Sequence, residues 1–237
     1  MKPIAVFRFS RTEGPGHFAT FLDANGLPWT LVKLDEGDAV PSSTEAFAGL
    51  GFMGGPMSAN DELPWTAPVL ALMRDAAKRG VPMIGHCLGG QLMSRALGGR
   101  VSRNPVKEIG WVRIDAEPSP LAREWLGEDL DSFESFQWHE DTFTVPSGAE
   151  RILSGQHCAN QGYVVDGLHL GMQCHVEMDP EMIDVWCRTG SDEIDESLHQ
   201  GDAVQDVPTI RDLAKRNLQG LSAVADRLYS RWIRGLR

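Results

Sequence analysis

One stretch, V-P-M-I-G-H-C-L-G-G-Q-L-M at 81–93, constrains the fold more than any other. An apolar strand at 81–85 runs straight into Gly85-His86-Cys87-Leu88-Gly89, and a helix over 87–99 begins at once. So sharp a turn drives its central residue into strained dihedrals, and glycines on either side leave room for crossing backbone. The layout is that of a nucleophile elbow with cysteine in place of serine. It lifts the sulfur above the sheet and sets it at a helix start, where free N–H groups and the dipole favour a thiolate. The Leu88 amide would point into the same site and could steady an oxyanion. The alternative for Cys87 is the ordinary one for cysteine, a buried and inert thiol.

The rest of the first half alternates strand and helix. IAVFRF (4–9) and WTLVKL (29–34) read as strands, with helical spacing over 16–25 between them. A glycine-rich strand around Phe47–Met53 ends at Gly54-Gly55-Pro56, and a helix with a glycine stop occupies the later part of 63–80. This alternation predicts an α/β fold with a mostly parallel central sheet and helices on both faces. Ligands gather at the carboxyl ends of such strands. From 101 to 175 the pattern changes to strands with short turns, at 106–114, 141–146, 151–155 and 162–175, with a short helix at 119–127. Residues 179–188 read as helix. A long amphipathic helix over 208–234 carries Ile210, Leu213, Leu218, Leu221, Val224, Leu228 and Trp232.

With 237 residues, no internal repeat and no flexible linker, the chain is expected to form one domain, 1–237, with 207–237 as a helical extension. The opening MKPIAVFRFS reads as a first strand rather than a secretion signal, and no apolar run is long enough to span a membrane. Cytoplasmic location and no membrane partner are the expectations. A net charge of −11 argues against a nucleic-acid partner. The charge is uneven, acidic over 192–206 and basic beyond, which fits a solvated surface or docking of the tail on the domain or a second subunit. Cys87, Cys158, Cys174 and Cys187 are widely spaced with no CxxC, and reduced thiols are expected.

A cysteine nucleophile needs a base. Of seven histidines, His175 has the best setting: GMQCHVE (171–177) is an apolar strand ending in histidine, with Glu177 two residues on. If strand geometry persists, both side chains face one way, and the carboxylate can hold one ring nitrogen while the other faces Cys87. His139 in FQWHED competes for the role, with a place at the pocket rim or in a structural bond as the alternative. His86 is expected to pack or to hydrogen-bond. No metal is expected: His139, Glu140 and Asp141 are consecutive, and metal-ligand spacings are absent. The Gly54-Gly55-Pro56 turn lacks a phosphate-loop sequence; the Gly55 amide either belongs to an ordinary turn or pairs with Leu88 as a second oxyanion donor.

The segments GGPMSAND (54–61), GHCLGGQL (85–92), NPVKEIGW (104–111), WHED (138–141) and GMQCHVE (171–177) occur in the order found in class I glutamine amidotransferases. Over about 45–180 the chain resembles stand-alone members of that family similar to the amidotransferase domain of GMP synthase. The resemblance implies a flavodoxin-like amidotransferase fold and a Cys-His-Glu triad at Cys87, His175 and Glu177. It implies oxyanion donors at Gly55 and Leu88, and substrate contacts from Gln91, Gly54 and His139. It implies no cofactor. Two positions depart from the family: the usual His-Pro-Glu is His175-Val176-Glu177 here, and Cys174 stands where an aromatic residue is common. No SGGxDS-like nucleotide loop is present.

Three functions follow in order of expectation. The first is free-standing hydrolysis of glutamine or another γ-glutamyl amide or peptide, a small-molecule substrate. The second is a glutaminase subunit that delivers ammonia to a separate synthase. The third is a non-catalytic binding or regulatory protein on the same scaffold. The basic C-terminal helix leaves a homodimer open.

Overall fold

The computed structural model describes residues 1–237. In chain order the first half comprises β1 (Ile4–Arg8), α1 (Gly16–Ala24), β2 (Trp29–Lys33), β3 (Gly49–Phe52), α2 (Thr66–Arg79), β4 (Met83–His86) and α3 (Leu88–Ala96). The second half comprises β5 (Val101–Ala116), α4 (Pro120–Leu126), β6 (Ser132–Phe143), β7 (Ala149–Gly155), β8 (Gly162–Val165), β9 (His169–Met172), α5 (Pro180–Thr189), α6 (Ser191–Ser197) and α7 (Val207–Trp232). Local chemistry sets several of these boundaries. Gly80 in the left-handed region closes α2. Ser119, Asp179 and Asp206 cap α4, α5 and α7, each accepting from the amide three residues on, with proline in the first turn.

All nine strands form one sheet in the order β2-β1-β3-β4-β9-β8-β7-β5-β6. From β2 to β9 the neighbours are parallel. From β9 outward they are antiparallel. The period of two divides the core. Ile4 and Val6 of β1 join one buried cluster with residues of α1, α5 and α7, while Ala5 and Phe7 join another with α2 and α3. Each large side chain buried there stabilises by about 1.5–3 kcal/mol. Helix α7 places Leu221, Val224, Leu228 and Trp232 in the first cluster. No helix is long and apolar enough to cross a membrane.

Two sequence expectations change at the site. From the sequence a strand starts only at 141, with 136–140 outside the predicted strands, but β6 runs from Ser132 to Phe143 against β5. Its buried positions include Gln137 and His139, polar residues that hide the apolar alternation. The other change is at His175, which lies past the end of β9 at Met172. The chain there is held by single contacts: Gln173 N donates to Gln161 O (2.9 Å), and His175 N donates to Phe136 O (2.9 Å).

Candidate active site

Cys87 lies between β4 and α3 with φ 46° and ψ −106°, a conformation that L-residues avoid. The surrounding glycines show why the chain tolerates it. A Cβ on Gly85 would sit 2.5 Å from the Gly89 carbonyl carbon; one on Gly89 would run into Phe52 O, and one on Gly90 into Met172 O. Helix α3 therefore rests directly on the backbones of β3 and β9. The amides of Leu88 and Gly55 donate to no backbone acceptor. Gly55 and the Leu88 side chain are neighbours, since a Cβ on Gly55 would approach Leu88 Cδ2 to 2.6 Å.

His175 and Glu177 are buried, and His175 Nδ1 lies 2.6 Å from Glu177 Oε1. His175 Nε2 has no hydrogen-bond partner. Burial works against an imidazolium here, but the Glu177 carboxylate and the Cys87 sulfur outweigh it and hold the His175 pKa well above its usual value. The Glu177 pKa is lowered: burial pushes it up, and His175 and then His86 pull it further down. The edge of His175 packs against Trp186, ring centroids 4.9 Å apart at 90°.

A cavity of about 630 Å³ opens over Cys87. Gly55, Gln91, His139, Glu13, Trp138 and Trp186 are among the residues that line it. Gln91 Nε2 donates to Asp141 O (3.2 Å) and to Gln173 Oε1 (3.1 Å). Gly54 lies beneath His175: a Cβ there would stand 3.1 Å from His175 Cε1 and against Glu13 Oε2. His139 touches the cavity but has both ring nitrogens engaged, Nε2 with Glu108 Oε2 (2.8 Å) and Nδ1 with Asp141 O (3.0 Å). That leaves it no free nitrogen to act as base. Gln161 Nε2 also donates to Glu108 (3.1 Å), so His139 belongs to a buried polar network. His86 is buried and hydrogen-bonds Tyr229 of α7. The four cysteines are unpaired.

Sequence reasoning missed three neighbours. Gln173 Nε2 donates to Cys87 Sγ (3.5 Å); its place two residues before His175 was the available signal. Trp186 and Glu13 reach the site from a distant helix and a loop, and nothing in their local sequence marks them. Glu13 is half-buried, and burial lifts its pKa to about 7, with His175 pulling it down and Glu177 pushing it up.

The family model "Glutamine amidotransferase class-I" matches residues 19–185. The solved structure of a glutamine amido transferase from Methylobacillus flagellatus is 44% identical, with a TM-score of 0.96 over 100% of this chain and 96% of that one. The glutamine amidotransferase-like protein YfeJ of Salmonella typhimurium is 26% identical over 177 residues, 73% of this chain and 74% of YfeJ. GMP synthase [glutamine-hydrolyzing] of Lactobacillus acidophilus is 34% identical over 134 residues, which is 55% of this chain but only 24% of the synthase.

Proposed function

Because the chain belongs to the class I glutamine amidotransferase family, we propose that it hydrolyses glutamine or a related γ-glutamyl amide with Cys87, His175 and Glu177 as a triad. The observation that carries this reading is the pairing of a strained helix-start cysteine with a carboxylate-held imidazole whose second nitrogen is free. Cys87 Sγ attacks the γ-carbonyl carbon and forms a C–S bond. The amides of Gly55 and Leu88 take the oxyanion, each worth about 3 kcal/mol in such a hole. His175, carrying the thiol proton, gives it to the departing nitrogen as the C–N bond breaks. A water then loses a proton to His175 and attacks the thioester. The C–S bond breaks, glutamate leaves, and His175 returns the proton to sulfur. Glu177 keeps the imidazole oriented and supports its charge. Gln91 borders the bound glutamyl group, Gly54 contributes from behind Glu13 and His175, and His139 shapes the wall through Glu108. Every step uses groups of the chain and water.

We further take the 237 residues as one domain with 207–237 as its helical extension. A cytoplasmic home fits four unpaired thiols. The test is glutamate release by the purified chain from glutamine and a panel of γ-glutamyl amides and dipeptides. Turnover that vanishes in Cys87→Ser supports the proposal; turnover that persists in that variant refutes it. A second reading, ammonia supply to a separate synthase, is favoured by the likeness to a glutamine-hydrolysing synthase. It predicts a chain nearly dormant alone and awakened by a partner.

A further inference from the structure

Glu177 uses one carboxylate oxygen on His175, and its other oxygen, Oε2, has no hydrogen bond although it is buried. An unpaired carboxylate oxygen in the interior is costly, so its nearest polar neighbour matters. That neighbour is His86 Nε2, 4.0 Å away. The same nitrogen lies 3.1 Å from Tyr229 Oη on α7. His86 Nδ1, near the Phe52 carbonyl, makes no hydrogen bond. Burial lowers the His86 pKa against the pull of Glu177, which favours a neutral ring with one N–H. A hydrogen on Nε2 faces two oxygens; a hydrogen on Nδ1 would leave a lone pair facing Glu177.

The backbone around Glu177 is fixed from another side. Its carbonyl accepts from His17 N (2.8 Å) at the start of α1, where Gly16 sits at φ +44° and a Cβ would run into that carbonyl. The main chain is thus tied to α1, while the free carboxylate oxygen looks toward His86 and α7. Phe18 of α1 packs on both His86 and Tyr229, ring centroids 5.9 and 4.9 Å apart, which holds both rings in place. Tyr229 lies outside the segment matched by the family model.

We propose that His86 and Tyr229 are positioning residues for Glu177: Tyr229 fixes the His86 ring so that its Nε2–H edge keeps the Glu177 carboxylate ionised and aimed at His175. The C-terminal helix is then a working part of the site. This rests on the reading of Cys87, His175 and Glu177 as a triad. The titratable groups facing the assembly are His175 and Glu13 at the cavity, Cys174 after β9, His17 on α1, and Tyr229 with Asp226 on α7. Loss of the His86 edge lets the buried Glu177 carboxylate take up a proton more readily; where it does, His175 loses its counter-charge and Cys87 loses its imidazolium partner at acid pH.

The test is the rate of Cys87 alkylation by iodoacetamide between pH 5 and 9, mapped to the Cys87 peptide by mass spectrometry. This readout needs no turnover. Tyr229→Phe keeps the ring and removes only the hydroxyl; His86→Leu removes the donor; His86→Gln restores one. The expected result is alkylation at pH 6 slowed roughly tenfold in Tyr229→Phe and His86→Leu, a displacement of about one pH unit, with His86→Gln close to wild type. If His86→Leu fails to fold, Tyr229→Phe and His86→Gln still decide. Identical pH profiles in Tyr229→Phe and wild type overturn the proposal even if the folded proteins differ in thermal stability. Glutamate release measured in parallel separates the two claims: an active wild type with unshifted variants refutes only this inference. A wild type whose Cys87 alkylates no better in the presence of His175 than in His175→Ala refutes the triad itself.

Discussion

His175 is gripped on one side only: Glu177 Oε1 lies 2.6 Å from its Nδ1, while its Nε2, also buried, has no partner. This asymmetry fixes the ring and leaves one nitrogen for chemistry. The backbone carbonyl of Glu177 is held by α1, while its outer oxygen makes no hydrogen bond and faces His86 Nε2 at 4.0 Å.

Glu177→Gln should therefore lower kcat/KM at pH 7 by about 10²–10⁴, the upper figure being the cost of the equivalent loss in a serine protease. It should also lower the His175 pKa, seen by NMR titration of the imidazole. The sign for stability follows. Glu177 is held below its usual pKa, so its contribution is present above about pH 4.5 and is lost as pH falls through the depressed value. The His175 contribution is full below about pH 6.5 and is lost as pH rises through its elevated value. The variant should lose most stability, relative to wild type, between these two limits and less at either end of the pH range. An unchanged His175 titration would count against the pairing.

The backbone at Cys87 gives a prediction of opposite sign to the usual rule. Glycine in place of alanine ordinarily costs about 0.5–1 kcal/mol. At φ 46° and ψ −106° a side chain is strained. Cys87→Gly should be at least as stable as Cys87→Ala by chemical denaturation, with both inactive. A Cys87→Gly protein less stable by the ordinary margin would mean that the turn stores no strain.

Gly89→Ala and Gly90→Ala each push a methyl into a neighbouring strand's carbonyl, at Phe52 and Met172 respectively. Each should destabilise by about 3 kcal/mol, at the upper end for overpacking a tight site. Gly98→Ala serves as a comparison, because a Cβ there meets nothing although φ is +92°. Denaturation midpoints measure all three, and the first two should fall further.

His139→Phe separates a structural histidine from a base. Its removal leaves buried Glu108 without its closest partner, a loss of about 3–5 kcal/mol. The fraction that still folds should keep Cys87 reactive toward iodoacetamide. If stability is unaffected and thiol reactivity disappears, the assignment of His139 is wrong.

Glu13 supplies a pH signature near neutrality. With its pKa raised to about 7, the folded chain binds more protons than the unfolded chain between about pH 4.5 and 7. Wild-type stability should decline across that window relative to Glu13→Gln and then run parallel above it. Thermal unfolding of both proteins from pH 5 to 8 measures the difference; a constant offset would contradict the shift.

The parts of the site that were legible in sequence share one property: their geometry is local. The elbow needs only Gly85, Cys87 and the following helix, and the His175–Glu177 spacing lies within three residues. The assumption behind that spacing was different from what the structure contains, since β9 stops at Met172 and the chain bends at Gln173 and Cys174, held by bonds to Gln161 and Phe136. The strand through Gln137 and His139 was hidden because its buried face is polar, with hydrogen bonds to Gln161 and Glu108. Glu13, Trp186 and Tyr229 come from three distant segments. Only tertiary packing brings Glu13 and Trp186 to the cavity over Cys87 and Tyr229 to His86, and no periodicity records it.

The most direct measurement is the intact mass of the chain after incubation with a glutamine-like electrophile, followed by peptide mapping. The account predicts one adduct per chain, on Cys87, formed in wild type and strongly slowed in His175→Ala. An adduct on Cys158, Cys174 or Cys187 instead, or equal labelling of Cys87 without His175, would contradict it.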